Sequence, residues 1–296
     1  MFQGIYTALI TPMRNGTVDL PGLARLIDRQ IAAGVQGVVV CATTGEGTTL
    51  TPDERRLVLE SAVKRSAGKI QVLAGTSLVA TWAVIDAVNM AADQGAVGAL
   101  VSSPSYVKPS QDGIYGHYAA IADQSKLPIV MYNVPSRTAS DIKPETVARL
   151  AAHDRIVGIK EASGSLERAQ QIIAAAGDTV KVLSGDDPLT LSILVAGGHG
   201  VISTAGNVVP EKWAALWRHW RNGDILAAAA VQAGLLGLHG ALFAESNPGP
   251  VKAALHLLGL IEDEIRLPLT WPSRPTVYRL AAELEKLGLK LARSSQ

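Results

Sequence analysis

The sequence of 296 residues is poor in cysteine and in net charge. Cys41 is the only cysteine, so no disulfide can form within the chain, which is typical of a reducing compartment. The 27 Lys and Arg residues nearly balance the 26 Asp and Glu residues, so no overall field attracts nucleic acid or an anionic membrane. The six histidines show no H-x-H or H-E-x-x-H spacing, and we therefore expect no metal site.

Long hydrophobic runs are also missing. The most apolar long segment, Ile225 to Leu238, contains a glutamine and is bounded by polar residues, which makes it too short to span a bilayer. The N-terminus, MFQGIYTALITP, has no basic region before an apolar stretch and is typical of a mature strand rather than a signal peptide. We therefore expect a soluble, cytoplasmic protein with neither a membrane nor a nucleic acid as partner.

The sequence does contain a repeated pair of patterns, in which a short β-branched run is followed by a longer stretch with helical spacing. The strand-like runs are Ile5–Ile10, Gly37–Cys41, Ile70–Ala74, Ala99–Ser102, Ile129–Tyr132, Ile156–Lys160, Val180–Ser184 and Gly200–Ser203. The amphipathic segments between them include Pro52–Ser66, Thr81–Gln94, Pro144–Ala152 and Leu166–Ala175. Eight strands that alternate with helices favour an α/β fold in which a parallel sheet closes into a barrel.

Only helical pattern remains beyond Arg221. We therefore predict a (β/α)8 TIM barrel over residues 1–223 and a C-terminal helical extension over residues 224–296. A doubly wound open sheet is disfavoured because no G-x-G-x-x-G follows the first strand. Within the extension, Asn247 followed by Pro248 predicts the start of a helix with the carboxamide as its cap.

The sixth strand-like run ends in an unexpected lysine. Lys160 closes the apolar run IVGIK, although an ammonium group is costly to bury unless it is paired. In a barrel of this kind the C-terminal ends of the strands converge on one face, where active sites lie. A partly dry barrel mouth favours the neutral amine, which can condense with a ketone to form a Schiff base. The alternative is that Lys160 reaches solvent or pairs with Glu161.

Two further strand ends bring polar side chains to the same face. Tyr132 ends the fifth run with a hydroxyl that can pass a proton, and Arg137 follows in a loop where it can hold a carboxylate bidentately. The second run ends in TTGE, in which Thr43 and Thr44 bring hydroxyls and backbone N–H groups able to grip a small carboxylate. Each residue alone is consistent with a structural role, and their convergence on one face is what favours an active site.

These stretches resemble, in order and spacing, the dihydrodipicolinate synthase and N-acetylneuraminate lyase family of class I aldolases. The similarity extends over nearly the whole chain. The matching segments are TTGE (43–46), SPSYVKPSQDG (103–113), YNVPSRT (132–138), GIKEASG (158–164), SGDD (184–187), GGHGVIS (197–203) and NPGPVK (247–252).

The resemblance implies a pyruvate site. Lys160 would form the Schiff base with pyruvate, so no cofactor is expected, and Tyr132 would be the general acid and base. Thr43 would be the middle of a proton relay that joins Tyr132 to Tyr106, which in this family reaches in from a neighbouring subunit. Thr44 would hold the carboxylate of pyruvate, and the backbone at Ile202 would lie close to the bound keto acid.

The resemblance also implies a second substrate and an assembly. Arg137 would recognise the carboxylate of aspartate semialdehyde, in an aldol-type condensation that commits carbon to lysine and diaminopimelate synthesis. Relatives are commonly homotetramers built as dimers of dimers, and a site that borrows Tyr106 needs at least a dimer. Two alternatives remain open. One is a lyase, aldolase or dehydratase of the same superfamily acting on N-acetylneuraminate or a 2-keto-3-deoxy sugar acid, and the other is a non-catalytic ligand-binding barrel.

Overall fold

The computed structural model describes residues 2–292, and its centre is a closed barrel of eight parallel strands. The strands in chain order are β1 (Gly4–Ala8), β2 (Met13–Arg14), β3 (Thr17–Val18), β4 (Gly37–Val40), β5 (Gln71–Gly75), β6 (Gly98–Ser102), β7 (Ile129–Asn133), β8 (Ile156–Glu161), β9 (Lys181–Ser184) and β10 (Gly200–Ser203). Strand β1 pairs in parallel with both β4 and β10, and this pairing closes the barrel. The predicted strand-like runs are confirmed, with ends that differ by at most two residues.

A short hairpin of β2 and β3 stands outside the barrel and was not predicted. Asn15 and Gly16 form its turn with φ values of 52° and 74°. An Asn-Gly pair with positive φ at both positions is the usual type I′ hairpin turn, so the dipeptide was the available signal. The carboxylate of Glu264 accepts hydrogen bonds from the backbone N–H groups of both turn residues.

Helices connect the barrel strands and then continue as the extension. In chain order they are α1 (Leu20–Ala33), α2 (Pro52–Ser66), α3 (Thr81–Asp93), α4 (Gln111–Gln124), α5 (Pro135–Thr138), α6 (Pro144–Leu150), α7 (Leu166–Ala176), α8 (Thr190–Val195), α9 (Pro210–Arg221), α10 (Ile225–Gly234), α11 (Leu236–Leu242), α12 (Gly249–Leu257) and α13 (Arg274–Lys286). The prediction of a (β/α)8 barrel with a C-terminal helical extension is confirmed. Within residues 2–292 no single helix is long and apolar enough to cross a membrane, and only α10 and α11 taken together, bent by 42°, satisfy that test of length and composition.

Two separate apolar clusters stabilise the fold. The larger cluster lies between the barrel and its helices, and the smaller one fills the barrel interior. The interior cluster contains Tyr6, Val39, Leu73, Leu100, Val130, Tyr132, Leu183 and Ile202. Because successive side chains of a strand point to opposite faces, membership of this cluster shows that Tyr132 and Ile202 point into the barrel.

The start of α12 differs from the prediction. The helix begins at Gly249, and Asn247 is not its cap. Instead, the Nδ2 of Asn247 donates a hydrogen bond of 2.9 Å to the Oγ1 of Thr44. The carboxamide therefore joins the extension to the loop after β4, a tertiary contact that prevailed over the local capping preference.

Candidate active site

Lys160 and Tyr132 are neighbours at the C-terminal ends of two adjacent strands. The parallel register of β7 and β8 pairs Tyr132 with Lys160, and the Lys160 Nζ lies 4.5 Å from the centroid of the tyrosine ring. Lys160 is 5% exposed, and Tyr132 is 6% exposed. The lysine therefore lies inside the barrel mouth rather than on the outer wall, which disfavours the alternative that it escapes to solvent.

Glu161 does not serve as the partner of Lys160. Its Oε2 accepts a hydrogen bond of 3.0 Å from the Asn133 Nδ2, and its Oε1 accepts one of 2.7 Å from the Ser163 N–H. Burial raises the pKa of the Glu161 carboxyl, and these hydrogen bonds act in the opposite direction. Glu161 thus fixes the loop after β8, and the adjacent lysine is left available for chemistry.

The SGDD turn after β9 forms one wall of the slot that holds Lys160. A Cβ atom built on Gly185 would lie 3.0 Å from the Lys160 Cε and 2.5 Å from the Ala162 Cβ, so only glycine fits there. Asp186 follows, and its Oδ2 accepts a hydrogen bond of 2.9 Å from the Gly164 N–H. Burial raises the pKa of the Asp186 carboxyl, while the charge of Lys160 lowers it. Asp186 is therefore a carboxylate that interacts electrostatically with the Lys160 amine.

Thr44 and Arg137 meet through Asn247. The Thr44 hydroxyl oxygen accepts the hydrogen bond from the Asn247 carboxamide, and the Arg137 Nη2 donates one of 3.5 Å to the Asn247 carbonyl. Thr44 is buried, whereas Arg137 is exposed on α5. Among the described residues the Thr44 hydroxyl accepts this bond and donates none, so its proton is available to a carboxylate. Sequence reasoning missed this function of Asn247, since the contact joins residues 203 positions apart and has no local pattern.

A buried ion pair supports the loop that carries Thr43 and Thr44. Lys252 on α12 pairs with Glu46, and both side chains are fully buried. The other carboxylate oxygen of Glu46 accepts a hydrogen bond of 3.2 Å from the Arg266 N–H. Desolvation lowers the pKa of Lys252, and the charge of Glu46 raises it. Lys252 and Arg266 of the extension thus stabilise the loop after β4 through their contacts with Glu46.

The remaining predicted residues lie at different places around the mouth. Ile202 is fully buried on β10, and Thr43 is half-buried in the loop after β4. Tyr106 is 90% exposed and has a φ of 72° in the loop after β6. No hydrogen bond joins Tyr106, Thr43 and Tyr132 within the described chain, so a single subunit does not assemble the predicted relay.

One group of side chains in the extension has the composition of a metal site. Ligand atoms of His256, Glu262 and Asp263 all lie within 4.8 Å of one another. Glu262 also forms an ion pair of 3.3 Å with Arg14. His256 lies at the end of α12, and Glu262 and Asp263 lie in the loop that follows, a spacing that differs from the H-x-H and H-E-x-x-H patterns.

Comparison with known proteins identifies the family of the chain. A family model described as the Dihydrodipicolinate synthetase family matches residues 1–287. The chain belongs to this family. A relative in the dihydrodipicolinate synthetase family, the 4-hydroxy-tetrahydrodipicolinate synthase of Anaeromyxobacter dehalogenans, is 45% identical over 291 residues, which cover 98% of this chain and 99% of the relative.

Solved structures in the dihydrodipicolinate synthetase family have the same fold. The dihydrodipicolinate synthase from Aquifex aeolicus superposes with a TM-score of 0.96 at 42% identity and covers 99% of this chain and 100% of its own. The chloride-inhibited enzyme from Acinetobacter baumannii, solved in complex with pyruvate, has a TM-score of 0.96 at 37% identity, with 98% and 100% covered.

Proposed function

We propose that the chain is a 4-hydroxy-tetrahydrodipicolinate synthase, which condenses pyruvate with aspartate semialdehyde in lysine and diaminopimelate biosynthesis. The observation that carries the proposal is the buried amine of Lys160 against the ring of Tyr132, at the C-terminal end of the barrel. Relatives with this activity in their names are similar over nearly the whole chain. These similarities support a reaction in the cytoplasm without metal or organic cofactor.

The first half of the reaction uses Lys160 and Tyr132. The neutral Lys160 amine attacks the C2 carbonyl of pyruvate, and the carbinolamine loses water to leave a protonated imine on the Nζ. Tyr132 protonates the departing hydroxyl and takes a proton back in the next step. The Thr44 hydroxyl donates to the pyruvate carboxylate, while the backbone at Ile202 lines the bound keto acid. Loss of a proton from the pyruvate methyl then gives the enamine nucleophile.

The second half joins the two substrates. The enamine carbon attacks the aldehyde of aspartate semialdehyde, and the new alkoxide takes up a proton. Arg137 lies on α5, the short helix after β7, and its guanidinium can hold the carboxylate of this substrate bidentately. Attack of the substrate amino group on the imine carbon then closes the ring and releases the Lys160 amine. A sugar-acid lyase would use the same Lys160 and Tyr132 and would give Arg137 another partner.

We further propose an assembly and a division of the chain. Tyr106 is exposed and its ring contacts no other ring among residues 2–292, which supports its insertion into a neighbouring subunit of a homotetramer built as a dimer of dimers. Thr43 then completes the relay between Tyr132 and the neighbour's tyrosine. Residues 1–223 act as the catalytic barrel, and residues 224–296 form an extension that braces its mouth.

Borohydride reduction in the presence of pyruvate tests the Schiff base. Peptide mapping should find the reduced adduct on Lys160, and the Lys160→Arg variant should form no adduct and lose activity by at least about 1000-fold. Lys64→Arg, at an exposed position on α2, is the matched control and should behave as wild type. An adduct on another lysine would overturn the proposed site. Faster cleavage of N-acetylneuraminate or a keto-deoxy sugar acid than condensation would overturn the proposed substrate.

A further inference from the structure

The last paired residues of β7 and β8 carry buried polar side chains on the outer side of the barrel. The register that pairs Tyr132 with Lys160 continues to Asn133 and Glu161, which end their strands. Asn133 is fully buried, and Glu161 is 2% exposed. Because successive side chains of a strand point to opposite faces, Tyr132 and Lys160 point into the mouth, whereas Asn133 and Glu161 point towards the surrounding helices.

The Glu161 carboxylate joins the ends of the two strands. The Asn133 Nδ2 donates a hydrogen bond of 3.0 Å to one carboxylate oxygen, and the Ser163 N–H donates one of 2.7 Å to the other. The register of β7 and β8 ends at this pair. The side-chain bond therefore supplements the backbone pairing at its end, one residue beyond Tyr132 and Lys160.

Glu161 also supports the wall of the slot that holds Lys160. Its carbonyl oxygen accepts a hydrogen bond of 2.6 Å from the Gly185 N–H, in the turn after β9. A Cβ atom on Gly185 would lie 3.0 Å from the Lys160 Cε, so this turn is in direct contact with the lysine stem. Glu161 therefore bonds both structures that flank the lysine, which are the strand that carries the tyrosine and the turn that carries the glycine.

Further hydrogen bonds fix the orientation of the Asn133 carboxamide. Its Oδ1 accepts a bond of 3.0 Å from the Ile142 N–H, and its Nδ2 donates a second bond of 3.0 Å to the Asp141 Oδ1. The other carboxylate oxygen of Asp141 pairs with the Arg168 guanidinium on α7 at 2.7 Å. The carboxamide is thus held with its NH2 group towards Glu161.

Folding stability alone explains this arrangement poorly. A buried carboxylate is costly to desolvate, and apolar side chains of similar volume often stabilise a fold equally well or better. An apolar pair at Asn133 and Glu161 would lack directional bonds, which fix one separation and one orientation of the strand ends. The polar pair is therefore suited to alignment of the residues next to it.

We propose that Glu161 is a positioning residue, whose bonds to the end of β7 and to the turn after β9 hold the Lys160 amine beside the Tyr132 ring. The inference rests on the proposed function, since it concerns the step in which the amine attacks pyruvate. Reaction rates depend steeply on such alignment, and a displacement of about 1 Å can cost about 100-fold. Loss of the bond between the strand ends should therefore slow Schiff-base formation and leave KM for pyruvate nearly unchanged.

An exchange of the two polar groups separates positioning from packing. Glu161→Gln keeps the size of the side chain, but when its single oxygen accepts from the Ser163 N–H, its NH2 group meets that of Asn133. We expect the rate of borohydride-trapped adduct at saturating pyruvate to fall by about tenfold or more, with KM within about twofold of wild type. Adding Asn133→Asp again places a donor opposite an acceptor and keeps the total charge. The double variant should recover part of the rate, and only part, because the new carboxylate faces Asp141.

Asn89→Ala is the matched control. The Asn89 carboxamide also joins two segments, since its Nδ2 donates a bond of 3.1 Å to the Gln124 carbonyl and its Oδ1 accepts one of 2.9 Å from the Lys126 N–H. These residues lie near the C-terminal ends of α3 and α4, before β6 and β7 begin, and therefore at the end of the barrel opposite to the mouth. The control should lower the melting temperature and keep the wild-type trapping rate.

Asn133→Ala removes the same bond from the side of β7 and should slow trapping as Glu161→Gln does, so the test does not depend on one variant being folded. A wild-type trapping rate in either folded variant would overturn the positioning role. A double variant that traps no faster than Glu161→Gln would overturn it as well. Failure of the wild-type protein itself to trap pyruvate would instead overturn the proposed function, so the two failures are distinguishable.

Discussion

At the scale of the residue, a side chain predicted for the site can be positioned by a residue that the prediction missed. Thr44 is predicted, and Asn247, which bonds it, is not. Lys160 and Tyr132 could be identified because each ends a strand-like run, and strand ends meet at one face of a barrel. Asn247 could not, because an Asn-Pro pair matches a helix start and the sequence gives no sign of a contact with Thr44. Prediction from sequence therefore reached the side chains that end strands, and it missed those that reach the site from distant loops.

The Asn247 carboxamide gives the first prediction at this scale. Asn247→Ala removes the hydrogen bond to Thr44, which is worth about 1 kcal/mol. We expect KM for pyruvate to rise about fivefold with a smaller change in kcat, because Asn247 would no longer orient the threonine hydroxyl that is proposed to bind the pyruvate carboxylate. Thr44→Val should raise KM as well, and the double variant should show less than the sum of the two effects.

Steady-state kinetics with pyruvate as the varied substrate measures these effects. Asn222→Ala, at an exposed position after α9, is the control and should keep the wild-type KM. Strictly additive effects of Asn247→Ala and Thr44→Val would show that the two residues act independently and would contradict the coupling.

At the scale of the element, local patterns were sufficient wherever a helix start or strand is decided by its own residues. The start of α2 at Pro52 follows from a capping box, in which Thr51 and Glu54 each bond the other's backbone. Buried β-branched runs likewise predicted the barrel strands. The packing of the extension could not be predicted from such local patterns. Helix α12 contacts the loop after β4 through Lys252 and Glu46, which are 206 positions apart.

That ion pair gives the prediction at the element scale. Lys252→Met leaves Glu46 as an unpaired buried carboxylate and should lower the free energy of unfolding by about 3–5 kcal/mol. Adding Glu46→Gln removes the isolated charge, so the double variant should recover most of that loss. The same comparison should show a raised KM for pyruvate in Lys252→Met, because the loop that carries Thr44 loses its support.

Denaturant unfolding measures this difference. Lys126 and Asp93 form the control pair, since both side chains are 60% exposed, and Lys126→Met should cost at most about 1 kcal/mol. A double variant that is less stable than Lys252→Met would contradict the account, because it would mean that Glu46 is stabilised by groups other than the lysine.

At the scale of the whole molecule, one chain is sufficient to close the barrel, but it does not complete the proposed proton relay. The eight strands bring Lys160, Tyr132 and Ile202 to one mouth, whereas Tyr106 lies in the loop after β6 with 90% of its surface exposed. Its left-handed φ of 72° holds the loop after β6 in a conformation that is uncommon for a residue with a side chain. A large exposed aromatic held in this way is suited to insertion into a neighbouring subunit.

Mixed oligomers test whether Tyr106 acts across a subunit boundary. Tyr106→Phe and Lys160→Arg should each be nearly inactive alone, but in a mixed dimer the first subunit keeps its lysine and receives an intact tyrosine from the second. Random pairing should restore about a quarter of the wild-type activity, since half of the dimers are mixed and one of their two sites is complete. Tyr132→Phe mixed with Lys160→Arg should restore nothing, because Tyr132 and Lys160 belong to the same barrel. Recovery in that control, or none in the Tyr106 mixture, would mean that Tyr106 does not complete a neighbour's site.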